Sequence, residues 1–168
     1  LDWDTPVTWL DTSGMDFKEE FVGETFGRIN KEEAGLLLKE LEAYIQRIGG
    51  NRILEERIDF GLISPYKAQV QYLRGKIKGS ASLRPYRSLI TVNTVDGFQG
   101  QERDVIFISL VRANEEGQIG FLNDLRRMNV AITRARMKLV ILGEAATLGH
   151  HAFYKQLLEY VKKVNGRQ

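Results

Sequence analysis

The sequence has 168 residues, 43% of them hydrophobic, which is enough for the core of one ordinary domain. Its 24 basic and 22 acidic residues leave a net charge of +2, so the chain as a whole is not a polybasic binder, although local basic patches remain possible. It has no cysteine, which excludes disulfides, thiolate metal sites and a cysteine nucleophile. The two histidines, His150 and His151, are adjacent rather than spaced as metal ligands.

No stretch approaches the roughly 18 consecutive apolar residues of a membrane span, and no signal peptide is visible. We therefore expect an intracellular protein. The sequence begins with Leu1 rather than Met, which favours the interpretation that it is a piece of a longer polypeptide.

The first half of the chain alternates strand-like and helix-like patterns. Residues 7–13 predict a strand, and residues 14–29, with their glycines and charges, predict an irregular segment. Residues 30–50 predict a helix, because apolar residues recur every three to four positions. Asn30 suits the N-cap, Glu33 completes a capping box, and two glycines end the helix.

The rest of the chain continues the alternation. Strands are predicted at 58–66, 88–95, 104–113 and 138–144, and helices at 67–78, 124–137 and 152–164. The apolar run of residues 105–111 is too continuous for a strand with one exposed face. This order predicts an α/β fold with a mostly parallel sheet and helices on both faces. Since ligands of such sheets meet the carboxyl ends of the strands, we expect the chemistry in the loops after Ile63, Thr94 and Val111.

Two of these loops are rich in polar groups. In "LISPYKAQ", hydroxyls at Ser64 and Tyr66 could hold phosphates or stack on a base, but the stretch also fits a plain helix start with Pro65 at its first position. In "TVNTVDGFQGQERD", two glycines permit close backbone approach to a ligand, and short polar groups suit nucleic-acid phosphates. An ordinary polar loop remains the alternative.

The segment "NVAITRARMK" places arginines directly before an apolar run. If the helix continued through it, Arg127 and Arg134 would share one face with Ala131 between them, and Arg136 would lie about 200° further round. A solvated basic face explains such a pattern. The other interpretation is an anion clamp, because fixed, always-charged guanidinium groups serve as arginine fingers in phosphoryl transfer.

No GxxxxGK[ST] phosphate loop and no strand ending in a pair of acids accompany this arginine. A phosphate-clamping arginine without a phosphate loop is half of an active site. We therefore expect the other half to come from another domain or chain.

The sequence resembles the second motor domain of superfamily 1 helicases. "TVNTVDGFQGQERDVIFISLVRAN" followed by "IGFLNDLRRMNVAITRARMKLVILG" is similar to motifs V and VI of subfamily B, the branch that holds the nonsense-mediated-decay helicase and senataxin. "GLISPYKAQ" resembles the motif IV region of that branch. Motif IV lies near 62–69, motif V near 91–104 and motif VI near 123–138. The resemblance implies a RecA-like P-loop NTPase fold, with residues 1–168 as the second RecA-like domain and the first domain absent from this chain.

The resemblance also implies roles for individual residues. Arg134 corresponds to the arginine finger, with Arg127 as its assistant, and Gly100 and Glu102 correspond to residues near the terminal phosphate and the ribose of ATP. The magnesium ligands and the phosphate loop would come from the first domain. The family's upstream Gln-Tyr-Arg segment, which binds adenine and phosphate, is not found here. We therefore expect no independent ATP hydrolysis and only weak nucleic-acid binding from these residues alone.

On the nucleic-acid side, the resemblance implies backbone contacts from Thr94 and, less directly, from Asn93, Ser64 and Tyr66. Arg112 and Gln99 would couple the two sites. The implied partners are single-stranded DNA or RNA and the first RecA-like domain, and no membrane.

Together these inferences predict an ATP-dependent helicase or translocase that moves 5′→3′, with ATP and Mg²⁺ as its cofactors. A non-catalytic nucleic-acid-binding or interaction module with a retained helicase fold is the alternative, and a nuclease-linked or translocase-only protein is a third. The choice between DNA and RNA stays open, since these motifs contact backbone and nucleotide rather than bases.

Overall fold

Five parallel strands form the central sheet in the computed structural model, which describes residues 5–23 and 27–165. The strands are β1 (Val7–Asp11), β4 (Phe60–Ile63), β5 (Ile90–Asn93), β6 (Arg103–Ser109) and β7 (Ala135–Gly143). Their order across the sheet is β1-β7-β6-β4-β5, and every neighbouring pair is parallel. A separate antiparallel pair joins β2 (Glu20–Phe21) and β3 (Arg28–Ile29).

Helices connect the strands of the sheet. They are α1 (Lys31–Ile48), α2 (Gly50–Glu56), α3 (Lys67–Lys78), α4 (Leu125–Ile132), α5 (Ala145–Leu148) and α6 (Ala152–Asn165). Short 3₁₀ turns lie at Arg84–Leu89, Asp96–Phe98 and Gly120–Asn123. The predicted α/β class with a parallel sheet is confirmed. Within the described ranges, no helix is long and apolar enough to cross a membrane.

Two hydrophobic cores cover the two faces of the sheet. Along the central strand β6, Val105 and Phe107 belong to one core, and Ile106 and Ile108 belong to the other. The first core packs the sheet against α1, α2 and α3, and the second against α4, α5 and α6. This two-sided burial explains the continuous apolar run that the sequence shows in β6.

The start of α1 follows the prediction only in part. The Asn30 side chain accepts a hydrogen bond from the Glu33 amide at 3.0 Å, as an N-cap does. The Glu33 carboxylate, however, does not return to the Asn30 amide, which donates to Gln69 at 3.0 Å instead. Gly49 ends α1 as predicted, with φ +96°, but Gly50 already begins the next helix, α2.

The helix α4 ends earlier than the sequence predicted. The helix predicted over 124–137 stops at Ile132, and the Thr133 hydroxyl donates to the carbonyls of the last turn. Ala135 already pairs with Arg103 as the first residue of β7. Arg134 and Arg136 therefore do not lie on a helix, and the argument from a shared helical face is wrong.

The segment predicted to be irregular, 14–29, contains the β2–β3 pair, although residues 24–26 lie outside the described ranges. The predicted strand at 88–95 is shorter than expected, since residues 84–89 form a 3₁₀ turn before β5.

Candidate functional site

The candidate site residues divide between opposite edges of the sheet. Asn93 and Thr94 stand at the carboxyl end of β5, as Ser64 does for β4. Glu102 and Arg134, in contrast, directly precede the amino ends of β6 and β7. The expectation that all the chemistry lies at the carboxyl ends is therefore wrong for this second group.

At the amino edge, Arg134 is held by neutral acceptors. Its Nε donates to the Val130 carbonyl at 3.1 Å, Nη1 to the Gln101 carbonyl at 3.3 Å and Nη2 to the Thr133 hydroxyl at 3.2 Å. Its own carbonyl accepts from the Arg103 amide at 3.0 Å, which fixes its backbone to β6. Among the described residues no carboxylate pairs with Arg134, so its charge is oriented but not neutralised.

The loop that contacts Arg134 carries the other residues of this group. Gly100 is exposed and has φ +75°, a left-handed conformation that favours glycine, with open space where a side chain would project. Gln101 supplies the carbonyl that Arg134 binds, and Glu102 is exposed beside it. Gly100, Glu102 and Arg134 thus lie together at one edge. Gln99 is exposed in the same loop, and its coupling role stays a prediction.

Arg127 does not belong to this group. Its Nη2 lies 3.2 Å from Asp96 and its Nε lies 3.6 Å from Asp124. It lines a cavity of about 170 Å³ together with Pro65, Lys67, Thr94, Val95 and Asp96. The prediction that Arg127 assists Arg134 is corrected, because it rested on a helix that would have continued beyond Ile132.

Arg136 ties strand ends together at the amino edge. Its guanidinium binds Asp59 at 2.9 Å and Asp104 at 3.0 Å, and these hydrogen bonds and charges raise its pKa above the ordinary value. The two carboxylates also accept from each other's amides, at 2.7 and 3.1 Å. This geometry gives Arg136 a structural role, on a strand rather than on the helix that the sequence predicted.

At the carboxyl edge, two predicted nucleic-acid contacts are inaccessible. Ser64 and Tyr66 are 0% and 1% exposed. The Ser64 hydroxyl accepts from the Tyr66 amide at 3.3 Å, and the Tyr66 hydroxyl donates to the Ile119 carbonyl and accepts from Arg112, both at 3.3 Å. Their proposed contacts with nucleic acid are therefore wrong, since these side chains hold the fold instead.

The side chains of Asn93 and Thr94 differ in how accessible they are to a ligand. The half-buried Asn93 side chain accepts from the Thr94 amide at 2.8 Å and fills the space beside Gly97, where a Cβ would lie 2.2 Å from Asn93 atoms. Asn93 is thus engaged within its own loop. Thr94 lines the cavity that also contains Lys67 and Arg127.

Arg112 is buried in a cluster that the sequence did not reveal. Its Nε donates to both carboxylate oxygens of Glu19, at 3.1 and 3.0 Å, and Glu19 also accepts from the Ala113 amide and the Asn114 side chain. Glu19 comes from the segment predicted to be irregular, and nothing in its sequence surroundings points to this role. The expected link from Arg112 to both sites is not visible, because Glu19 and Tyr66, its side-chain partners among the described residues, belong to the carboxyl side.

A second buried carboxylate, Glu33, holds the turn after β6 that contains Val111. It accepts from the Ser109 hydroxyl at 2.5 Å and from the Val111 amide at 2.8 Å, while its other oxygen has no partner among the described residues. Burial raises the pKa of Glu33 to about 7, against the lowering effect of these hydrogen bonds. Val111 has φ +71°, which is strained for a β-branched residue, so Glu33 helps to hold the turn that presents Arg112.

One segment connects the two edges. Residues 94–102 leave the carboxyl end of β5 and reach the amino end of β6 within nine residues. Phe98 anchors the middle of the segment in the second core and is fully buried. A Cβ at Gly61 would lie 2.6 Å from Ile106 and 3.0 Å from Phe98, so the bare glycine lets the segment lie flat on the sheet.

Comparisons with known proteins identify the family to which this chain is similar. The AAA domain family matches residues 1–146. The chain is 39% identical over 143 residues to the probable helicase MAGATAMA 3 of Arabidopsis thaliana, which covers 85% of this chain and 17% of that protein. It is 39% identical to the DNA polymerase alpha-associated DNA helicase A of Saccharomyces cerevisiae (85% of this chain, 20% of that protein) and 37% identical to the regulator of nonsense transcripts 1 homolog of Drosophila melanogaster (94% and 13%).

The chain thus spans a fifth or less of the length of these relatives. The match covers most of this chain, including the residues of motifs IV, V and VI, and the parallel sheet flanked by helices is the architecture expected of a RecA-like fold. The chain belongs to the AAA domain family, as a RecA-like domain of the superfamily 1 subfamily B helicase type.

Proposed function

We propose that this chain is the second RecA-like motor domain of an ATP-dependent helicase or translocase that acts on single-stranded DNA or RNA. The observation that carries the proposal is the segment 94–102. It begins in the cavity lined by Thr94, Lys67 and Arg127, and it ends beside Arg134. One segment, anchored by the buried Phe98, therefore joins a cavity that contains Lys67 and Arg127 to an arginine that has no carboxylate partner among the described residues.

The amino edge is the proposed nucleotide side. ATP, bound against a first RecA-like domain, would supply the phosphoanhydride bond that is hydrolysed. Arg134 would contact the terminal phosphate, and its side chain fits this role because neutral acceptors orient it while its charge stays unpaired among the described residues. A guanidinium placed there stabilises the negative charge of the transition state.

Gly100 and Glu102 complete the nucleotide side. The exposed Gly100 backbone allows close approach of a phosphate, and the exposed Glu102 carboxylate could accept from ribose hydroxyls. In the described part of the chain, no group of three or more His, Asp or Glu side chains is arranged to hold a metal ion. The ligands of Mg²⁺ are proposed to come from the first domain, as the family resemblance implies.

The carboxyl edge is the proposed nucleic-acid side. Thr94 offers a hydroxyl and Lys67 offers positive charge within one cavity, which Arg127 also lines while it is paired with Asp96 and Asp124. Contacts of this kind bind phosphates without regard to base sequence. Arg127, which the sequence placed with Arg134, is therefore assigned to the nucleic-acid side. The 5′→3′ direction rests on the subfamily B resemblance alone.

The test uses the full-length polypeptide that includes the first RecA-like domain. Arg134→Ala is expected to lower the nucleic-acid-stimulated ATPase rate by at least ~10³, the scale of an arginine finger, while single-strand affinity changes little. The matched control is Arg126→Ala on α4, an exposed arginine, which should keep near-normal turnover. Near-normal ATPase in Arg134→Ala would refute the assignment. Wild-type protein that binds single strands without hydrolysing ATP would favour the non-catalytic module.

A further inference from the structure

Six basic side chains lie close together in the sequence, on α3 and in the turn that follows it. Residues 60–95 contain six lysines and arginines and no acidic residue, whereas the rest of the chain has 18 basic and 22 acidic residues. All six are exposed, and none pairs with a carboxylate among the described residues. We call this set the α3 basic face: Lys67, Arg74, Lys76, Lys78, Arg84 and Arg87.

Half of this face forms a continuous stripe. Lys67, Arg74 and Lys78 are separated by seven and four positions on α3, so they lie in one row along the exposed side of the helix. The row is about 16 Å long at ~1.5 Å per residue. It begins at Lys67, in the cavity that also holds Thr94, and it leads away from that cavity toward the amino edge of the sheet.

The stripe ends in a groove between α3 and the edge strand β5. The groove has a volume of about 460 Å³, and three of the basic side chains, Arg74, Lys78 and Arg87, line it above an apolar floor that includes Ile77. Arg74 donates from Nε and Nη2 to the Val92 carbonyl, at 3.0 and 2.7 Å, and Arg87 donates to the Lys78 carbonyl. Two guanidinium groups are thus held in place by neutral carbonyls, which leaves their charge for an anion.

The same contacts disfavour a peptide ligand. An extended peptide binds an edge strand through its outward-pointing backbone groups. On β5 the Val92 carbonyl is already satisfied twice by Arg74, so this position is closed to an added strand. A phosphate backbone needs only the cations, which remain accessible.

We propose that the α3 basic face binds the phosphate backbone of the single strand beyond the Thr94 cavity, and so lengthens the nucleic-acid track of this domain along α3. The inference rests on the proposed function, because it takes the occupant of that cavity to be nucleic acid. It assigns ligand contacts to Arg74, Lys78 and Arg87, which lie outside the motif residues considered above.

The test is the salt dependence of binding by the full-length polypeptide to a fluorescein-labelled thymidine 20-mer, measured by anisotropy between 20 and 300 mM NaCl. Each phosphate contact on a single strand adds about 0.7 to the slope of log affinity against log salt. Lys78→Gln/Arg87→Gln should therefore lower the slope by about 1.4 and weaken binding roughly 20-fold at 0.1 M salt. Lys78→Gln alone, which keeps the backbone carbonyl that Arg87 binds, should lower the slope by about 0.7.

The matched control is Lys155→Gln/Lys163→Gln, which removes the same charge from exposed positions on α6. It should keep the wild-type slope. Equal slopes for the wild type and both Lys78 variants would overturn the inference while leaving the proposed function intact. The inference also fails if Lys78→Gln/Arg87→Gln loses affinity for a poly-glutamate peptide but not for the 20-mer. No salt-dependent binding by the wild type at 20 mM NaCl would instead contradict the nucleic-acid side of the proposed function.

Discussion

Replacement of Glu33 by Gln should remove a pH dependence of stability that the buried carboxylate imposes. Glu33 is 0% exposed and accepts two hydrogen bonds through one oxygen. Gln keeps the shape and one carbonyl oxygen in the same place, so the Ser109 hydroxyl and the Val111 amide keep their acceptor. Its amide nitrogen takes the position of the oxygen that has no partner. The substitution therefore changes mainly the ability to titrate.

The sign and size of the pH effect on the unfolding free energy follow from the raised pKa of Glu33. The folded pKa of Glu33 is about 7 and its ordinary value is 4.5. Between these two values the unfolded chain loses a proton that the folded chain retains, so stability falls as pH rises through this window. At about 1.36 kcal/mol per unit, the wild type should lose on the order of 3 kcal/mol between pH 4.5 and 7 through this group, with little further loss above it.

Urea denaturation at pH 5, 6, 7 and 8 measures the effect. The difference in unfolding free energy between Glu33→Gln and the wild type should grow in favour of the variant as pH rises, because other titrating groups cancel in that difference. Glu32→Gln, an exposed neighbour on α1, is the matched control and should follow the wild type. A constant difference across this pH range would refute the reasoning, since Glu33 would then titrate alike in both states.

Two further substitutions test the packing and the charges around the motifs. Gly61→Ala places a Cβ 2.6 Å from Ile106 and 3.0 Å from Phe98, so it should cost about 1–3 kcal/mol in urea denaturation, and an unchanged midpoint would contradict the close packing. Arg136→Gln should cost about 1 kcal/mol or less, because the ion pairs are partly exposed, and should leave the ATPase rate of the full-length protein near normal. A loss of turnover as large as that expected for Arg134→Ala would show that the two arginines had been assigned to the wrong roles.

The sequence was sufficient for the elements whose signals are local. The helix predicted over 67–78 has the same bounds in the structure, because apolar spacing and Pro65 mark it within its own residues. The junction of α4 and β7 could not be predicted in this way. Its residues continue a helical pattern, but pairing with β6 and β1 takes the chain into a strand from Ala135 onward. Tertiary pairing overrides helix propensity at this point.

The roles of the site residues also depend on tertiary contacts that local sequence signals do not reveal. Hydroxyls that follow a buried strand suggest a ligand, but Thr94 lines a cavity whereas Tyr66 is buried. Tyr66 is covered by a segment more than 40 residues away, through Arg112 and Ile119. Glu19 and Glu33 reach partners 76 to 95 residues away, so their roles depend on contacts that no local spacing encodes.

The candidate site is divided between two edges of the sheet, and the segment 94–102 connects them. In the proposed function, the nucleotide and the single strand bind at these opposite edges, and the segment is the direct connection between the two. Phe98 lies on the sheet at the crossing, above Gly61, and both are fully enclosed. Protein interiors are densely packed and compress little, so the buried Phe98 fixes the middle of the segment against the sheet. Arg134 is fixed in a similar way by neutral contacts: its carbonyl accepts from the Arg103 amide of β6, and the carbonyls of Val130 and Gln101 orient its guanidinium.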